Sequence, residues 1–179
     1  LVEVVLDPGM AFGTGSHPTT ALCLSALSQL VAARPGLAVL DVGTGSGLLA
    51  IGAAKLGAGR VVGTDVDPVA LRVARENAEA NGAPIELTSR APERIEGSFG
   101  LVVANILANT LVELAPAVAG KVAEGGVLLL AGVLRPQEDD VRRAYVAAGL
   151  EPSPGDDRRD GDWSLLALRR PARVPREAP

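Results

Sequence analysis

Cysteine is almost missing from this chain of 179 residues: Cys23 is the only one, so no internal disulfide can form, and a reducing cytoplasm is the expected setting. No apolar run reaches the ~18 residues that a membrane span needs. The N-terminus, Leu1-Val2-Glu3, lacks the basic stretch followed by an apolar one that marks a secretory signal. It also lacks an initiator Met, as expected of a piece of a longer chain. Lysine occurs only at Lys55 and Lys121, and Asn and Gln are scarce, a bias that a thermophile or a skewed codon usage would each produce. Excess positive charge is absent too. The formal net charge of -4 gives no electrostatic case for nucleic-acid binding and only weak attraction for a basic protein partner.

What is present is apolar. Hydrophobic residues make up 47% of the chain, which excludes disorder over most of its length, and the size suits one domain. Strand-like runs alternate with helical patterns, so an α/β fold with a mostly parallel sheet and helices on both faces is expected. Val2 to Leu6 reads as a short strand or an entry segment, and strands are read at Leu37 to Val42, Arg60 to Thr64, Ile85 to Thr88, Leu101 to Ala104 and Val127 to Val133. Helices are read at Thr19 to Ala33, Gly47 to Leu56, Pro68 to Asn81, Ile106 to Val122 with a break at Pro116, and Gln137 to Ala148. Asp67 reads as an N-cap before Pro68, and Gly82 as the helix stop. The end differs: Leu150 to Ser153 and Trp163 to Leu168 flank a charged turn and fit an antiparallel hairpin. Residues 1–170 are expected to form the domain and residues 171–179 a frayed tail.

The motif with the clearest chemistry is Asp41-Val42-Gly43-Thr44-Gly45-Ser46-Gly47, which follows a buried strand and opens a helix. Glycines there permit a sharp turn and close approach of a ligand to the backbone. Leu48 stands where a dinucleotide fingerprint would put its third glycine, which argues against a pyrophosphate site. Asp65 ends the next strand about 20 residues later, where a carboxylate can accept hydrogen bonds from ribose hydroxyls. Asp67 competes for that role, although its place before Pro68 suits a cap better. These residues resemble class I S-adenosylmethionine-dependent methyltransferases, whose loop carries Asp-x-Gly-x-Gly-x-Gly and whose second strand ends in an acid. The resemblance implies a Rossmann-like, seven-stranded sheet closed by an antiparallel hairpin. It further implies that Gly43 and Gly45 pass under the methyl donor, that Asp65 holds its ribose, and that Val66 lies beside its adenine. Asp41 would support the loop or meet the methionine end. No clear motif marks the adenine pocket itself, although Ser89, Arg90 and Ala91 follow the third strand.

Ligands of open α/β sheets bind beyond the carboxyl ends of the strands, which is where Asn105 stands after Leu101 to Ala104. Its side-chain oxygen can accept a hydrogen bond from an amine and aim the nitrogen; a turn residue capping the next helix is the plainer reading. The segment Asn105-Ile106-Leu107-Ala108 lacks an aromatic to stack on a planar base or amide. Asp7 to Thr20 is a glycine-rich stretch containing Phe12 and the only histidine, His17, and reads as a connector or as a lid over a ligand. His17 suits loop shaping or helix capping better than catalysis. Thr19 or Thr20 begins the following helix, where amides and a hydroxyl can meet a carboxylate.

Taken together, this stretch, the Asp-Val-Gly-Thr-Gly-Ser-Gly motif and Val-Ala-Asn-Ile-Leu-Ala closely resemble the ribosomal protein methyltransferase family PrmA, from about Leu6 to Leu168. The resemblance implies methylation of amino groups, both lysine side chains and the N-terminal amine, on the large-subunit ribosomal protein numbered eleven. It implies S-adenosyl-L-methionine as cofactor, with Thr20, Gly43, Asp65 and Asn105 contacting the donor and Asn105 and the Phe12 loop beside the incoming amine; the sulfonium supplies its own leaving group, so no metal is expected. Family members carry a separate N-terminal recognition domain; none precedes Leu1 here, so slow transfer to the ribosomal protein is expected of the chain as given. Membrane and nucleic-acid contacts are not expected. Other readings are a methyltransferase for a different protein or a small molecule, a nicotinamide-dependent oxidoreductase, and a non-catalytic ligand-binding module.

Overall fold

A computed structural model of the protein describes residues 3–6 and 17–173. The elements run in the order α1 (Pro18–Ala33), β1 (Val39–Val42), α2 (Leu48–Lys55), β2 (Val61–Thr64), α3 (Pro68–Ala80), β3 (Glu86–Thr88), β4 (Phe99–Asn105), α4 (Ala108–Glu113), α5 (Ala115–Ala119), β5 (Val122–Leu134), α6 (Glu138–Ala147), β6 (Glu151–Pro152), β7 (Arg158–Asp160) and β8 (Trp163–Arg169).

Strands β3-β2-β1-β4-β5 lie side by side and parallel, and β8 joins β5 antiparallel. The far edge of β8 is shared: β6 pairs with its end, through Arg169 and Leu168, and β7 with its start, through Leu165 to Trp163. Eight strands among the described residues therefore occupy seven positions, and the terminal antiparallel hairpin expected from the sequence is present. Its turn is shorter than expected, because Arg158, Arg159 and Asp160 pair as a strand.

Alternation in the strands sorts side chains onto two faces. Val39, Leu101, Val103, Leu129, Leu165 and Ala167 pack under α1 and α2 with Cys23, Leu27, Ala50 and Ala53. Leu40, Val102, Leu128, Leu130, Leu166 and Leu168 pack under α4, α5 and α6 with Leu111, Val118, Val141 and Tyr145. The inner strands are apolar on both sides because helices cover both. Local signals set the helix ends. The Asp67 carboxylate accepts the Val69 N–H at 2.8 Å, Pro68 follows in the first turn, and Gly82 stops α3 at φ +59°. The break expected at Pro116 falls between α4 and α5, with the proline inside the first turn of α5.

The described part of the lead-in segment, residues 3–6, is not a strand. The Asn81 carboxamide takes the place of a neighbouring strand, accepting the Val5 N–H at 2.9 Å and donating to its carbonyl at 2.6 Å.

A polar network ties the hairpin to the helices. Glu138, at the start of α6, accepts two hydrogen bonds from Arg159, at 2.8 and 2.7 Å, and one from the fully buried Ser164. The Arg159 guanidinium holds the Glu138 carboxyl down at about 2. Arg158 reaches Ser25 and Gln29 of α1, both at 2.6 Å. Glu138→Ala is expected to cost about 2–3 kcal/mol, from charged hydrogen bonds lost and a buried hydroxyl left unpaired. A group with a depressed pKa stabilises above its ordinary value, here 4.5, and less as pH falls toward 2. The gap between wild type and variant in urea unfolding should therefore narrow over that range; equal stability at pH 7 would contradict the role.

Candidate active site

Sheet register gathers the site. Val42 pairs with Thr64 on one side and with Ala104 on the other, so Gly43, Asp65 and Asn105 leave the carboxyl edge at one level. Strand order reverses between β1 and β4, which opens the crevice that such sheets use for ligands.

The loop after β1 turns through Gly43, Gly45 and Gly47, at φ +72°, +55° and +83°, values that side-chain-bearing residues rarely adopt. Gly43 is also confined: a Cβ there would lie 2.4 Å from Ile106 Cγ2. The N–H groups of Gly43 and Thr44 both donate to the Thr64 carbonyl, at 2.8 and 3.0 Å, and bind the loop to β2. Asp65 completes the tie. Its Oδ2 accepts the Gly45 N–H at 2.9 Å and its Oδ1 the Asp67 N–H at 3.0 Å. The two acids that competed in the sequence thus divide: Asp67 caps α3, and Asp65 faces the glycine loop.

Asp41 lies beneath the loop, 1% exposed. Its Oδ2 accepts the Thr44 hydroxyl at 2.7 Å, whereas Oδ1 is buried without a hydrogen-bond partner. Burial pushes its pKa up to about 6; the Thr44 hydroxyl and the Ala50 N–H oppose the rise, and the Asp65 charge adds to it. Burial likewise pushes up the neighbouring Cys23 thiol, with Asp41 adding to the effect, so the thiol stays neutral.

Asn105 ends β4 opposite Ala131 of β5, half-buried, at the expected mouth. Thr20 lies buried in the first turn of α1, its N–H donating to the His17 carbonyl at 3.0 Å. Val66, 89% exposed, and Leu107, 74% exposed, are bare apolar side chains beside Asp65 and Asn105. His17 is a cap: its Nδ1 accepts the Thr19 N–H at 3.3 Å. The Phe12 loop falls outside the described residues. Among the described residues no group of three metal-ligating side chains forms, and no helix is long and apolar enough to cross a membrane.

Sequence reasoning missed Thr44, Ile106 and Trp163. Thr44 fixes Asp41, and Ile106 presses on Gly43. Trp163 meets the His17 ring edge-on at 4.8 Å and pairs with Leu134 beyond the level of Asn105; being the only tryptophan was its one signal. The Thr64 hydroxyl donates to the Arg90 carbonyl at 2.6 Å, which fixes the loop after β3 next to Asp65. Two surface depressions, one between α3 and β3 and one between α4 and α6, contain none of these residues.

The family model described as ribosomal protein L11 methyltransferase (PrmA) matches residues 1–171. A protein of Myxococcus xanthus with that name is 52% identical over 170 residues, covering 94% of this chain and 58% of that protein. One from Geobacter metallireducens is 53% identical over 163 residues, covering 91% of this chain and 53% of that protein. A solved structure of a ribosomal protein L11 methylase from Lactobacillus delbrueckii subsp. bulgaricus superposes with a TM-score of 0.84 at 38% identity, over 93% of this chain and 84% of that one. The chain spans somewhat over half the length of the curated relatives it matches.

Two tests address this geometry. The folded chain holds a proton on Asp41 up to about 6, against 3.8 ordinarily, so ionising that group costs about 3 kcal/mol of stability. The cost is absent below 3.8 and complete above about 6. Asp41→Asn should therefore gain on wild type by about 2–3 kcal/mol between pH 4 and pH 7 in urea unfolding; a pH-independent difference would refute it. Gly43→Ala should destabilise the chain by about 2–4 kcal/mol, from a left-handed φ and the collision with Ile106, and wild-type stability in that variant would contradict the packing.

Proposed function

This chain belongs to the ribosomal protein L11 methyltransferase (PrmA) family, and on that premise we propose that it is the donor-binding, catalytic part of an S-adenosylmethionine-dependent methyltransferase acting on amino groups of ribosomal protein L11. The observation that supports the reading best is the convergence of Gly43, Asp65 and Asn105 at one level of the crevice.

The residues fit the donor chemically. Asp65 accepts one hydrogen bond on each oxygen, which leaves a lone pair on each for ribose hydroxyls. Val66 offers an exposed apolar surface to adenine. Gly43 and Gly45 carry no side chain to keep a ligand from the loop. Asp41 is a buried carboxylate awaiting positive charge, and the start of α1 at Thr20 suits a carboxylate. S-adenosylmethionine, when bound, supplies a methyl group on a positively charged sulfur.

The protein's part is alignment. The Asn105 carboxamide makes no hydrogen bond to any described residue, so its oxygen is available to accept one from an incoming amine and turn the nitrogen lone pair toward the methyl carbon. Holding the two in line lowers the barrier without a metal. The amine must first lose a proton; only about one lysine in 10³ is neutral at pH 7. Desolvation and a nearby positive charge both lower its pKa, so a dedicated base is not required. On this reading the chain works in the cytoplasm on a protein substrate, with no direct nucleic-acid contact.

Calorimetry should show S-adenosylmethionine binding, weakened by about 1.5–3 kcal/mol in Asp65→Ala through lost charged hydrogen bonds. Binding of NADH in its place would overturn the proposal. In single-turnover transfer of labelled methyl to ribosomal protein L11 at saturating donor, Asn105→Ala should lower the rate far more than it lowers donor affinity. A wild-type rate would reduce Asn105 to a structural cap.

A further inference from the structure

We propose that Asp41 is a specificity-determining residue that makes this site prefer a cationic ligand, so that the sulfonium donor is held more tightly than the uncharged thioether left after methyl transfer. The inference rests on the donor assignment above and adds to it the basis on which donor and product are told apart.

The two ligands share their adenosine, carboxylate and ammonium groups and differ by one methyl group and one positive charge. Shape therefore distinguishes them poorly, and local charge distinguishes them well. Asp41 is 1% exposed, and its Oδ1 has no hydrogen-bond partner. A buried carboxylate with one oxygen unpaired is costly, and a positive charge brought nearby offsets that cost. The elements packed around it provide no full charge, only the partial one of the Ala50 N–H in the first turn of α2. From α1 the titratable neighbour is the Cys23 thiol, kept neutral by burial. From the end of β2 it is Asp65, a second acid. The first seven residues of α2, Leu48 to Ala54, are uncharged, and β4 presents Val103 opposite Asp41. No ion pair to Asp41 or Asp65 forms among the described residues. Low dielectric surroundings lengthen the reach of the field, so Asp41 acts on the ligand's charge without touching the sulfur.

A proton competes with the ligand for the same role. Burial holds the Asp41 carboxyl at about 6, so at pH 5 most empty sites carry a proton there, and a cationic ligand must displace it to solvent. Product, which brings no extra charge, displaces it less. Linkage gives the magnitude: the preference for donor over product should fall about ten-fold between pH 8 and pH 5.

The test is calorimetry with S-adenosylmethionine and S-adenosylhomocysteine at pH 5 and pH 8. In wild type the donor-to-product affinity ratio should drop about ten-fold on acidification. In Asp41→Asn the ratio should be low at both pH values. His17→Asn, which keeps a good cap on α1 and removes the chain's one imidazole, should retain the wild-type drop. A ratio unchanged by pH, or a drop that survives in Asp41→Asn and disappears in His17→Asn, overturns the proposal. Should Asp41→Asn fail to fold, proton release by wild type at pH 6, measured in two buffers of different ionisation enthalpy, decides. About half a proton released per donor, and clearly less per product, supports the proposal; equal release by both ligands overturns it. If neither ligand binds at either pH, the donor assignment itself fails.

Discussion

The bond from the Thr44 hydroxyl to the Asp41 carboxylate, 2.7 Å long and out of reach of water, is the contact on which the shape of the glycine loop depends. Asp41 belongs to β1, and Thr44 lies between two glycines of the loop that follows, so the bond folds the loop back over the strand that it leaves. Space for it comes from β2, where a Cβ on Gly63 would lie 2.8 Å from Thr44 Oγ1. With Thr44 held down, its N–H and that of Gly43 meet the Thr64 carbonyl, and the Gly45 N–H reaches Asp65. One side chain thereby connects β1, the loop and the end of β2.

The arrangement is stable despite its electrostatics. Two acids lie near one another, one fully buried, with no cation beside them among the described residues. Apolar packing on both faces of the sheet holds them there: Val39, Leu101 and Val103 with Ala50 and Ala53 on the Asp41 side, and Leu40, Val102 and Leu128 on the other. Strain tolerated at a site and offset by the surrounding core is the usual relation between stability and function. Here the strain is charge, which a positively charged ligand would relieve. The same relation places Asn105, whose level beside Gly43 follows from the parallel register of β1 and β4 rather than from any contact of its own.

Much of this was legible in the sequence because the deciding signals were local. The apolar run Leu101 to Ala104 could only be a covered strand, and Asp67-Pro68 with Gly82 bounded a helix by cap and stop. The glycine spacing before Leu48 separated this loop from a dinucleotide turn. What was not legible depended on partners distant in the chain or on exposed edges. Arg158-Arg159-Asp160 read as a turn because an edge strand facing water needs no apolar alternation. Residues 3–6 read as a short strand or an entry segment, and the choice was open because their partner is one carboxamide 76 positions away. The apolar pattern starts the fifth strand only at Val127, after a helix read to Val122, because Gly125 and Gly126 interrupt it, whereas β5 begins at Val122. At the site, the acids and glycines were visible by spacing. The contact of Thr44 with Asp41 and the pressure of Ile106 on Gly43 were not, because neither residue type announces such a role.

The ligand-free site contains a buried carboxylate with no cation beside it among the described residues. Carboxyl-carbon NMR of Asp41, titrated in the ligand-free chain and assigned through Asp41→Asn, tests this most directly. A midpoint near 6, moving down when S-adenosylmethionine is added, is the predicted result. A midpoint near the ordinary 3.8 in the ligand-free chain, unmoved by the donor, would contradict it.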